Sequence, residues 1–92
     1  MKEVTVQELK SLMDAKSDFQ LIDVREKNEY EIKNLNGMNI PMSELENRIS
    51  ELNPEMITVV HCKSGVRSKK AIEIIKEYYP EIEIYNLTEY NL

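Results

Sequence analysis

Apolar and polar residues change their period several times along the chain, and each change marks an element. Ile57 to Val60 is apolar and β-branched apart from Thr58, which suits a strand inside a sheet. From Ser68 to Tyr79 the spacing becomes helical. Ala71, Ile72, Ile74, Ile75 and Tyr78 form one face, Lys69, Lys70, Glu73, Lys76 and Glu77 the other, and Pro80 marks the stop. Phe19 to Val24 is a second nearly continuous apolar run, broken by Gln20 and ended at Asp23. Such runs suit strands buried on both faces of a parallel sheet. Thr5-Val6-Gln7-Glu8 matches a capping box, and the helix it opens runs to about Ala15 with Val6, Leu9, Leu12 and Met13 inward.

The shorter elements follow from local signals. Glu3 to Thr5 reads as a short first strand, Lys16-Ser17-Asp18 as a turn, and Lys27 to Lys33 as a short helix carrying Tyr30 and Ile32. Asn34-Leu35-Asn36-Gly37 is a loop, and Met38 to Ile40 a third strand stopped by Pro41. Ser43-Glu44-Leu45-Glu46 matches a second capping box and predicts a helix to about Leu52 with Leu45, Ile49 and Leu52 inward. Asn53-Pro54-Glu55 is the loop before the central strand. Glu81 to Tyr85 is the last strand, and its alternation of Ile82 and Ile84 with Glu81 and Glu83 fits a half-exposed one. The order β-α-β-α-β-α-β-α-β predicts one α/β domain over residues 1–92, with a mainly parallel five-stranded sheet.

Composition narrows the function. Hydrophobic content of 41% and charged content of 32% fit a globular protein. A net charge of −5 argues against nucleic acid and anionic membranes as partners. Against that background Lys63, Arg67, Lys69 and Lys70 are a local basic exception, of which Lys69 and Lys70 read as a solvated helix face. The single cysteine excludes an internal disulfide and a cysteine-rich zinc site, and one histidine offers little to a metal. Met1 to Thr5 is not followed by an apolar signal region, and no segment approaches transmembrane length, so the expected location is cytoplasmic.

Candidate chemistry sits where the central strand stops. In Val59-Val60-His61-Cys62-Lys63-Ser64-Gly65-Val66-Arg67-Ser68, a strand ends at the lone cysteine and a glycine turn leads into a helix. An ordinary thiol, with a pKa near 8.5, is only about 3% ionised at neutral pH. Loop amides and the positive helix end favour an anion here, and Lys63 and Arg67 add formal charge. A fall of about two pKa units would stabilise the thiolate by about 2.7 kcal/mol and make it predominate. Cys62 is therefore the candidate nucleophile in an anion cradle built from Lys63, Ser64, Gly65, Val66 and Arg67. The bland alternative is a small buried hydrophobe. The strand–turn–helix context favours the nucleophile.

Cys62-Lys63-Ser64-Gly65-Val66-Arg67-Ser68 resembles the active-site loop of the rhodanese family, the thiosulfate sulfurtransferases. It is especially similar to single-domain rhodaneses and to rhodanese domains fused to sulfur-carrier-activating enzymes. Leu21-Ile22-Asp23-Val24-Arg25-Glu26 with Glu29-Tyr30, then Gly37-Met38-Asn39-Ile40-Pro41, then Tyr85-Asn86-Leu87 resemble the family's other blocks, in the family's order. Two features depart from it. Asn34 stands in the region where the family usually has a histidine, and Thr88 to Leu92 replaces the usual glycine pair and short helix. The resemblance implies a rhodanese-like three-layer α/β/α fold. It gives Asp23 a framework role. Arg25 is left to pair with Glu26 or Glu29, or to edge the pocket.

It also implies a reaction. Cys62 takes sulfane sulfur from a small anionic donor such as thiosulfate, carries it as a persulfide, and passes it to a thiol or a protein acceptor, or to cyanide in vitro. Ser64 to Arg67 would stabilise the persulfide through their amides, Lys63 and Arg67 would hold the donor, and no metal or organic cofactor is needed. Two alternatives stay open: a partner-dependent sulfur carrier or sensor with little free turnover, and a phosphatase or arsenate reductase. Related phosphate-handling loops have five residues between cysteine and arginine. Here there are four, which favours sulfur. His61 directly precedes Cys62 on a strand, so its side chain should point to the opposite face rather than serve as a base.

Overall fold

The two apolar runs become the centre of the sheet. In the computed structural model, which describes residues 2–15 and 18–88, β2 (Phe19–Asp23) and β4 (Ile57–His61) pair in parallel along their whole length. On the far side of β2 lies β3 (Met38–Asn39), and beyond β4 come β5 (Ile84–Leu87) and β1 (Glu3–Val4). The sheet is five-stranded and all-parallel, in the order β1-β5-β4-β2-β3. Three α-helices connect the strands: α1 (Val6–Asp14), α2 (Lys27–Ile32) and α3 (Val66–Tyr78). None is long and apolar enough to cross a membrane.

Alternation along β4 divides the core. Val60 and Cys62 pack with Ile22, Val24, Ile40 and Leu45 against Ala71, Ile72 and Ile75 of α3. Val59 faces the other way, towards Val4, Leu87 and Leu9 of α1. The resulting helix–sheet–helix layering is the expected α/β architecture. α1 begins as expected: the Glu8 N–H donates to the Thr5 hydroxyl and the Thr5 N–H to Glu8 Oε1, both at 3.1 Å. Tyr30 of α2 donates its hydroxyl to the Gly37 carbonyl at 2.6 Å. A β-carbon on Gly37 would lie 2.8 Å from the Leu21 carbonyl oxygen, so this loop can approach β2 only through glycine.

Several sequence expectations need correction. Val6 and Met13 are on the wet side of α1, with only Leu9 buried and Leu12 half-buried, because two-residue β1 gives this helix a narrow edge to cover. The Ser43 capping box does not form. Met42–Glu44 and Glu46–Glu51 are 3₁₀ turns, with Leu45 N–H bonded to Met42 O and Arg48 N–H to Leu45 O. A 3₁₀ path rises about 2.0 Å per residue against 1.5 Å for an α-helix. It therefore spans more of the sheet's length while still burying Leu45 and Leu52. Within this path Glu44 pairs with Arg48 at 3.0 Å.

The last strand starts later than the alternation suggested. Ile82 belongs to a turn, with its N–H on Tyr79 O, and pairing begins where Thr58 N–H meets Glu83 O at 2.8 Å. β5 is then an inner strand with Ile84, Asn86 and Leu87 buried, not a half-exposed one. Glu81 and Glu83 are exposed in the turn before it. Residues 16 and 17 of the expected turn and the tail from residue 89 lie outside the described residues.

Candidate active site

β4 delivers Cys62 at the carboxyl edge of the sheet, and the chain must reverse into α3 within a few residues. Gly65 makes the reversal, with φ 89° and ψ −8°, a left-handed conformation costly for other residues. The turn aims its donors inward. Gly65 N–H lies 3.0 Å from Cys62 Sγ and Ser68 N–H 3.4 Å, while the Ser68 hydroxyl oxygen is also 3.4 Å away. Burial pushes the Cys62 thiol up. Hydrogen bonds from the Ser68 side chain and from the Ser68, Gly65 and Ser64 amides oppose that, and the net direction is down. Cys62 is only 1% exposed, so its sulfur lies beneath the loop.

The loop's residues do not all play the expected parts. Lys63, Ser64 and Val66 are exposed around the buried sulfur. Arg67 is already engaged: its Nη1 and Nη2 bond Glu29 Oε1 and Oε2 of α2 at 2.6 and 3.2 Å. Glu29 Oε1 also accepts the Glu26 N–H at 3.0 Å. The hydrogen bond from Arg67 holds the Glu29 carboxyl down at about 2, against a smaller upward push from burial.

Beneath this lies a buried polar frame. Arg25 Nε bonds both Asp23 oxygens at 3.0 and 3.1 Å, and Nη2 reaches Asp23 Oδ2 and the Lys33 carbonyl, each at 2.7 Å. Asp23 has the framework role expected of it. Arg25 hydrogen-bonds Asp23, because positions two apart at the strand end put both side chains on one face in a dry site, and its charge also acts on Glu29. His61 is fully buried with Nε2 3.8 Å from Asp23 Oδ2. Burial, with the Arg25 charge, pushes it down against the pull of Asp23, so it stays neutral. It lies on the face opposite Cys62 and has no geometry for a base towards the sulfur.

A strand-end cysteine under a four-residue amide loop, on this sheet order, is the arrangement to compare with known proteins. A family model described as "Rhodanese-like domain" matches residues 5–89. The chain belongs to the rhodanese-like domain family. It is 47% identical over 70 residues to an uncharacterized 16.5 kDa protein of Synechococcus elongatus, covering 68% of this chain and 47% of that one. It is 34% identical to the putative sulfur carrier protein YrkF of Bacillus subtilis, covering 82% and 41%. The structure of the human single-domain sulfurtransferase TSTD1 superposes with a TM-score of 0.77 at 25% identity, covering 96% of this chain and 89% of that one. The chain thus spans about half the length of the curated relatives it matches.

Within this rhodanese-like site, sequence reasoning passed over three residues. Ser68 closes the loop motif and opens the helix but has no role of its own in the sequence reading, although its place one residue after Arg67 puts it on the turn facing the sulfur. Asn86 is a polar residue between Tyr85 and Leu87 in a buried strand, which was a usable signal. Glu29 stands in a family block and as a possible partner of Arg25, but nothing in the sequence points it to Arg67, 38 positions away. The pair it forms predicts an acid response. Glu29 has a folded pKa of about 2 against an ordinary 4.5, so its stabilisation is complete above about pH 4.5 and is lost as pH falls towards 2. Both side chains are about a third exposed, so screening limits this to about 1 kcal/mol or less. Urea midpoints of wild type and Glu29→Gln should converge between pH 4.5 and 2. Parallel curves would exclude the linkage.

Proposed function

We propose that this domain, taken as one unit over residues 1–92, is a sulfurtransferase that moves sulfane sulfur through a persulfide on Cys62, with thiosulfate or a similar anion as donor. The observation that carries this is the convergence of short-loop N–H donors on Cys62 Sγ, with four residues between Cys62 and Arg67. That cradle suits a sulfur anion better than a phosphate. The Cys62 thiolate attacks the sulfane sulfur, an S–S bond forms to Sγ, and the donor's own S–S bond breaks with its electron pair leaving on sulfite. An acceptor thiolate then attacks the outer sulfur, takes it as a persulfide, and Cys62 leaves as a thiolate held by the same amides. The backbone of Ser64, Gly65 and Val66 shapes the cradle, and Lys63 and Arg67 face the donor's charge. A reducing, cytoplasmic setting suits this thiol chemistry.

Intact mass spectrometry after brief exposure to thiosulfate tests this. The expected result is one added sulfur atom, removed by cyanide, with ping-pong kinetics in the steady state. Well-folded protein that gains no sulfur would overturn the thiosulfate reading, and hydrolysis of an aryl phosphate in its place would favour a phosphatase.

One observation favours a second reading. Cys62 is nearly inaccessible, and a relative is described as a putative sulfur carrier. A carrier loaded by a partner protein would then show little turnover alone, and turnover without any partner separates the two. The Glu29–Arg67 pair bears on the same question, because the donor must share Arg67 with a carboxylate. Glu29→Gln should lower KM for thiosulfate about three- to tenfold at low ionic strength, fading as salt is added. An unchanged KM would mean that Arg67 does not meet the donor.

A further inference from the structure

Behind Cys62 a second layer of hydrogen bonds runs from α3 to β5. The Ser68 hydroxyl, fully buried, lies 3.4 Å from Cys62 Sγ, 2.6 Å from Asn86 Oδ1 and 3.0 Å from the Gly65 carbonyl. Asn86, 4% exposed, turns its Nδ2 towards that same carbonyl at 3.4 Å. The opposite amide orientation would set two oxygens against each other there, so Gly65 fixes which end of Asn86 meets Ser68. A serine hydroxyl has one proton. Two acceptors compete for it, Asn86 Oδ1 at 2.6 Å and the Gly65 carbonyl at 3.0 Å; the shorter contact gives it to the amide, and the Ser68 lone pairs are left facing the Cys62 thiol.

This arrangement has two settings. With Cys62 protonated, S–H donates to Ser68, which donates to Asn86. When the thiol proton has gone to solvent, or an acceptor has taken the outer sulfur, Sγ is an anion and the better acceptor. The Ser68 proton then turns to Sγ, and Asn86 Oδ1 loses its donor. Asn86 thus competes with the anion for a proton it never passes on.

We propose that Asn86 is a positioning residue that holds the Ser68 hydroxyl proton away from Cys62 until the sulfur is anionic, and so limits how readily the thiolate forms. The proposal rests on the sulfurtransferase reading for its use in turnover, but not for its test, which needs no sulfur donor.

Other charged and titratable groups around Cys62 are accounted for separately. Lys63 is on the same loop, and Arg67 of α3 is paired with Glu29 of α2, with Glu26 nearby. His61, Asp23 and Arg25 form the frame on β2 and β4. β5 brings the neutral Asn86.

The experiment follows the rate of Cys62 alkylation by iodoacetamide against pH, with urea midpoints confirming that each variant is folded. Asn86→Ala should lower the alkylation midpoint by about half a unit to one unit, the scale of one neutral hydrogen bond. Ser68→Ala should raise it, since the thiolate loses a donor. The double variant should match Ser68→Ala alone, because Asn86 acts only through that hydroxyl. Asn86→Asp, a near-isostere, covers a failure of the alanine variant to fold. Its carboxylate is a stronger acceptor, so the midpoint should rise, and rise less in the Ser68→Ala background. An unmoved or raised midpoint in Asn86→Ala, or equal shifts with and without Ser68, would overturn the proposal. Failure of the thiosulfate experiment alongside these shifts would instead remove the donor assignment and leave the positioning role intact.

Discussion

Cys62→Ser is expected to gain no sulfur from thiosulfate and to lose at least about 10³-fold in sulfur transfer, a loss too large to come from geometry alone. The two side chains differ by one atom, and the site would hold either. Gly65 N–H at 3.0 Å and the Ser68 hydroxyl are in place to bond a serine oxygen, so the new hydroxyl would not be left unsatisfied. Its folding cost should therefore stay near 1 kcal/mol. What disappears is the thiolate. An alcohol does not ionise near neutral pH even when three or four donors favour its anion, and it forms no stable bond to sulfane sulfur. Intact mass spectrometry of both proteins decides this, and a sulfur adduct on the serine variant would place the acceptor atom elsewhere. The same variant is the reference for the carrier reading, since a partner-loaded sulfur would be absent from it too.

Asp23→Ala should be the most damaging change to the fold. The carboxylate is fully buried and bonded three times by the Arg25 guanidinium, and it also accepts the Arg25 N–H at 3.0 Å. Truncating it removes from a buried site the carboxylate that the Arg25 guanidinium bonds directly. Breaking one side of such a pair costs about 3–5 kcal/mol, out of about 5–15 for a whole domain. For a chain of this size that is a fall of at least about 12 °C in Tm. The paired replacement Asp23→Leu with Arg25→Met removes both charges and should recover most of the loss, as buried pairs contribute little beyond an apolar equivalent. Differential scanning calorimetry reads both. An Asp23→Ala protein melting within a few degrees of wild type would show that the pair is not the frame of the site.

These expectations draw on features that the sequence revealed unevenly. Long apolar runs made β2 and β4 legible, because burial on both faces leaves no other composition. The cradle was legible as well, since Gly65 after a strand and before an amphipathic helix has few other uses. The 3₁₀ path over residues 42–51 was not, because Ser43 and Glu46 satisfy a local capping pattern that tertiary span overrides. The start of β5 was misplaced for a related reason. Ile82 and Ile84 are both buried, but one belongs to a turn and the other to a strand. Within the site, partners distant in the chain were invisible. Arg67 reads as a cation for the donor with no sign that α2 sets Glu29 on it, and Asn86 reads as part of a family block with no sign that β5 sets it against Ser68 of α3.

The sheet order also sets a timetable for folding. Among the described strands, β1 comes first in the sequence and its partner, β5, comes last; Glu3 aligns with Asn86 and Val4 with Leu87. Such a distant pairing closes slowly, and no shorter piece of chain can imitate it. Until β5 is seated, Cys62 and the α3 turn lack Asn86 to hold Ser68 in place. For that interval the thiol is an ordinary one, without its roof, and open to oxidation or to capture by another cysteine. Reactivity and protection arrive together, when β5 closes the sheet.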